Sequence, residues 1–152
     1  METVSTLNKE TLKGVQDLIE INIDSANGFA EAAEKVENNA IATLFRTCAE
    51  ERRANANDLK SLAHINGEDP KSDGSWKAKM HRWWIDIRAT VQSSDEHAML
   101  AEAERGEDAI KHRYEDVLKD TAGSAVNDVL QTQYAGVKAR HDQIRDMRDA
   151  RA

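Results

Sequence analysis

The sequence predicts an all-α protein, a bundle of four long helices with a short crossover helix between the second and the third. Three observations carry this prediction. Apolar residues recur three or four apart along most of the chain, as in Leu100, Ala103, Ile110, Tyr114 and Leu118, which is the stripe of an amphipathic helix facing a core. Helix breakers are scarce, with 1 proline (Pro70) and 7 glycines in 152 residues, among many Ala, Glu, Lys, Arg and Leu. The stripes also run well beyond the roughly 11–12 residues of an average helix, and long helices with short connections bury their stripes against one another. The length fits one domain over residues 1–152, large enough for one core.

The first helix carries the stripe Leu12, Val15, Ile19, Ala26, Phe29, Ala33 and Val36, with Ser5 or Asn8 available to cap it. Glu37, Asn38 and Asn39 supply a turn and the next cap. The second stripe is Ile41, Leu44, Phe45, Cys48, Leu59, Leu62 and Ile65, ended by Asn66 and Gly67, and Pro70 prevents its resumption. The connection from Lys71 to Ser94 is too long for a simple turn. Trp76, Met80, Trp83, Ile87 and Val91 repeat within it at helical spacing, which predicts a crossover helix laid on the bundle by Trp83 or Trp84. Ser93 to Glu96 reads as a capping box opening the third long helix. Thr121 to Ser124 makes the last turn, and the fourth helix runs through Val126, Leu130, Tyr134, Val137, Ile144 and Met147.

Composition excludes several function classes. A net charge of −7 argues against a general nucleic-acid binder, which needs a basic face. No apolar run approaches the roughly 20 residues of a membrane span, and the start of the chain does not read as a signal peptide. A lone Cys48 allows no internal disulfide and fits a reducing compartment, so a cytoplasmic location is expected. The Trp-rich connection could also serve self-association, making a homo-oligomer one expected partner state.

Polar residues interrupt each long stripe near its middle. Glu107 falls between Ala103 and Ile110, with Glu104 beside it, and a carboxylate on a buried face costs free energy unless something pairs with it. Asn22 falls between Ile19 and Ala26. Arg52 and Asn55 fall between Cys48 and Leu59. His141 falls between Val137 and Ile144, with Lys138 at its edge. These six, Asn22, Arg52, Asn55, Glu107, Lys138 and His141, are expected to meet in one buried polar layer. The competing reading of Arg52 is a stem covering apolar surface with its head in water.

The segments FAEAAEKV, LFRTCAEERRANANDLKSL, ERGEDAIKHRYEDVL and QTQYAGVKARHDQI resemble a bacterial four-helix-bundle family of unknown function within the ferritin-like superfamily. The resemblance covers nearly the whole chain. It implies a ferritin-like bundle with a long crossover, and no established activity. Di-iron members of that superfamily place a Glu on each of two helices and Glu-x-x-His on each of the other two. Aligned so, the two Glu-x-x-His motifs fall on Arg52-Arg53-Ala54-Asn55 and Lys138-Ala139-Arg140-His141, with cations at both bridging positions.

Three functions follow as expectations. The first is a non-catalytic bundle without a cofactor, its di-metal site replaced by charge pairing of Arg52 and Lys138 with Glu107. The second is an iron-binding oxidoreductase using Glu20, Glu51, Glu104, Glu107 and His141, since Glu50 and Glu51 lie just before Arg52. The third is a small-ligand binder with its pocket between the bundle and the crossover tryptophans.

Overall fold

The computed structural model describes residues 3–70, 76–93 and 95–151, and of residues 76–81, 84 and 93 only the backbone. Five helices follow in order: α1 (Lys9–Lys35), α2 (Asn39–Ile65), α3 (Trp76–Ser93), α4 (Glu96–Asp120) and α5 (Asn127–Asp149). The described residues contain no strand. Short polar side chains start three of the helices by accepting an orphan backbone N–H. Asn8 accepts from Thr11 (2.8 Å), Asn38 from Ile41 (3.1 Å) and Asp95 from Ala98 (3.0 Å). The α4 cap is therefore Asp95, and the expected box from Ser93 is displaced because α3 still runs through Ser93. Asn66 and Gly67, with φ of 76°, close α2, while Gly123, with φ of 81°, turns the chain into α5.

Helix directions follow from the contacts between them. A connection of only Val36, Glu37 and Asn38 folds α1 back on α2, and α4 and α5 form a second such hairpin. Asn38 reaches Glu96 while Arg52 reaches Glu107, so α2 and α4 run parallel. Glu51 meets Arg140 while Asn55 meets Gln133, so α2 and α5 run antiparallel. The crossover α3 packs across α1 and α4.

One apolar cluster joins all five helices, including Val15, Ile19 and Phe29 of α1, Phe45 and Leu59 of α2, Ile87 of α3, Ile110 of α4 and Ile144 of α5. The sequence stripes supply most of it, and Leu18, Ile21, Ala49, Met99 and Val117 are among the residues that join it from outside them. Ile65 is the exception: it is exposed, because the α2 stripe rotates outward in its last turn. Trp83 anchors α3. Its ring lies edge-on to Phe29 at 5.5 Å, and its indole N–H donates to the Glu102 carbonyl (2.6 Å). The expectations for Trp76, Met80, His81 and Trp84 fall outside the described side chains. No described helix is long and apolar enough to cross a membrane.

Candidate functional site

The polar intruders come together in three tiers, the second and third of them side by side at one height of α4. Along α4, Tyr114 stands 7 positions, about 10 Å, above Glu107, whereas Glu104 and Asp108 lie on either side of Glu107 in height. In the first tier the Tyr114 hydroxyl donates to Gln133 Oε1 and accepts from Asn22 Nδ2, each at 2.8 Å. Asn22 also donates to the Leu18 carbonyl (2.7 Å), and Gln133 donates to the Asn55 carbonyl (3.3 Å). Asn55 is only half-buried. Burial pushes the Tyr114 hydroxyl up to about 12, against the opposing pull of the Asn22 hydrogen bond and the Arg52 charge.

The second tier is Arg52 with Glu107, joined through Nη2 and Oε2 with both side chains at 0% exposure. Arg52 does not reach solvent, so the stem-only reading is excluded. Burial pushes the Glu107 carboxyl up, and the adjacent guanidinium pulls it back. Arg52 Nε and Nη1 and Glu107 Oε1 have no hydrogen-bond partner among the described residues, so the pair is incompletely satisfied.

The third tier is His141. Its Nε2 lies 2.7 Å from Asp108 Oδ1 and 3.7 Å from Glu104 Oε1. Its Nδ1 lies 3.0 Å from Asp142 Oδ1, and this hydrogen bond holds the Asp142 carboxyl below its usual range. Arg148 pairs with the other oxygen of Glu104.

Lys138 belongs to none of these tiers. It is exposed, because it follows Val137, the middle of the buried face, by one residue, which is about 100° around α5. Its expected place in the polar layer is corrected accordingly. The residues expected to bind iron do not assemble as one ligand set. Glu51 is held by Arg140 (2.7 Å), Glu107 by Arg52, and Glu20 is buried on α1. Among the described residues, only Glu104, Asp108 and His141 bring three ligand atoms within 4.8 Å of one another. A di-iron centre of the expected composition does not fit.

Residues 10–120, most of the chain, match the family described as Domain of unknown function (DUF2383). The chain belongs to the DUF2383 family. No curated protein matches it. The match ends with α4, so Gln133 and His141 of this DUF2383 protein lie beyond it.

Gln133 and Asp108 were not among the expected site residues. Gln133 stands one turn before Val137 and two before His141, so the face of α5 already pointed to it. Asp108 stands one turn after Glu104 on the same face of α4. A cleft of about 460 Å³ also opens between α2 and α5, lined by Arg52, Asn55, Asp58, Asp128 and Gln133 among others. Its lining includes no described residue of the crossover helix, where a ligand pocket was expected.

Proposed function

We propose that this DUF2383 protein is a non-catalytic ferritin-like scaffold in which a buried charge pair stands at the depth where ferritin-like oxidases hold two metals. The observation that carries the reading is the Arg52–Glu107 pair, fully withdrawn from solvent. A guanidinium at that depth repels a dication and occupies the carboxylate that would bind it. Two antiparallel hairpins joined by a crossover helix support the ferritin-like part of the reading. A buried lone Cys48 fits residence in the cytoplasm.

The test compares Arg52→Leu, Glu107→Leu and the double variant by urea unfolding, together with iron uptake. Each single change leaves a buried charge without its partner and is expected to cost about 3–5 kcal/mol. The double change is expected to recover most of that loss, because the apolar pair no longer has to be desolvated. Ferrous iron and oxygen are expected to give no oxidation above the buffer rate. Two tightly bound irons per chain, with oxidation lost in Glu107→Gln, would overturn the reading.

A further inference from the structure

We propose that Glu104, Asp108 and His141 form a binding site for one divalent transition-metal cation on the α4–α5 side of the bundle. The site is distinct from the Arg52–Glu107 pair and does not depend on the scaffold reading. Glu104 and Asp108 stand one helical turn apart on α4, so their carboxylates share a face. His141 meets them from α5.

The imidazole carries the case. His141 is 6% exposed, and its Nε2 points at the two carboxylates without making a hydrogen bond to either. Its Nδ1 faces Asp142, and a proton placed there leaves a lone pair on Nε2. That lone pair then faces Asp108 Oδ1 and Glu104 Oε1, three electron-rich atoms turned toward one another. A cation between them satisfies all three. Metal bonds of about 2.0–2.2 Å in tetrahedral geometry set ligand atoms about 3.3 Å apart. The observed separations of 2.7 Å and 3.7 Å bracket that value.

The surroundings suit such a site. A carboxylate on the far nitrogen of a ligating histidine fixes its tautomer and raises its basicity, which is the place Asp142 occupies. Arg148 holds only Oε2 of Glu104, leaving Oε1 toward His141. Asp108 is 42% exposed along its side chain, so a cation has a path from solvent. Two carboxylates and a neutral imidazole cancel a charge of +2, and the imidazole favours zinc or ferrous iron over calcium and magnesium, while the carboxylates also suit manganese.

The experiment titrates the metal-free full chain with Zn²⁺ and Mn²⁺ by calorimetry, and with Co²⁺ followed by visible absorption. One equivalent is expected, with Co²⁺ bands that report a nitrogen and oxygen ligand set. Asp108→Asn and His141→Ala are expected to abolish saturable binding. Asp142→Asn is expected to weaken it by about 10–100-fold. Circular dichroism checks that each variant folds, and the part-exposed Asp108 supplies a variant with little risk to the core. The Arg52→Leu/Glu107→Leu variant is expected to bind the metal as well as the parent. Absence of saturable binding, or binding that survives both His141→Ala and Asp108→Asn, overturns the site. Two equivalents that depend on Glu107 would instead overturn the scaffold reading.

Discussion

Tyr114 shows how one side chain can tie three helices together. Its ring fills the core of α4 while its hydroxyl joins Asn22 of α1 to Gln133 of α5. Such a group makes stability depend on alkaline pH. Its folded value is about 12 against about 10 unfolded, so its contribution is complete below about pH 10 and is lost as pH rises toward 12. The loss expected is about 3 kcal/mol, read as a fall in the urea midpoint across that window. Tyr114→Phe should flatten this part of the profile and, by leaving Gln133 Oε1 without its donor, should lower stability near neutral pH by about 1–3 kcal/mol. Tyr134, held up to about 12 chiefly by its 2.5 Å bond to Glu115, adds a similar limb that survives Tyr114→Phe and disappears in Tyr134→Phe.

At the scale of the element, the seating of α3 on α4 rests on one missing side chain. A Cβ on Gly106 would collide with the Trp83 indole, so α3 approaches α4 at the one glycine in that segment of the stripe. Gly106→Ala gains about 1 kcal/mol of helix propensity and must displace a ring wedged against Phe29. Overpacking is expected to win, for a net loss of about 1–3 kcal/mol. The measurement is urea unfolding with Trp emission in a Trp76→Phe/Trp84→Phe background, where Trp83 alone reports. A net gain in stability would mean that Trp83 is not seated on Gly106. The same element scale explains the displaced α4 cap: any short acceptor just before the helix can serve, and continuation of α3 through Ser93 left Asp95 as the one in position.

Across the whole molecule, ion pairs stitch helices that are distant in the chain. Glu31 of α1 meets Arg88 of α3 (2.6 Å), and Glu96 of α4 meets Arg151 near the chain end (2.8 Å). Hydrogen bonds to these partners hold both carboxyls below their usual range, and the Tyr134 hydroxyl does the same for Glu115. Depressed folded values mean stability that is present above about pH 4.5 and is lost as pH falls through the folded values. The urea midpoint is therefore expected to drop on acidification below about pH 4.5. Added salt is expected to blunt that drop, because these groups are near solvent and screened.

The sequence by itself determined the long helices, their stripes, and the presence of Asn22, Arg52, Glu107 and His141 on buried faces. Those features are local: the helical repeat assigns each residue a face, and a polar residue inside an apolar stripe is visible as such. The charges suggested Arg52 and Lys138 as partners of Glu107, and only the tertiary structure decided that Arg52 meets it and Lys138 does not. Arg52 and Glu107 lie 55 positions apart, and their meeting depends on the parallel course of α2 and α4 and on the axial offset between them. The same packing set the Tyr114 group apart from the other two and brought Asp108 to His141, while the turn of α5 put Lys138 in solvent. A shift of one turn moves a side chain by about 5.4 Å, enough to exchange one partner for another without altering a single stripe.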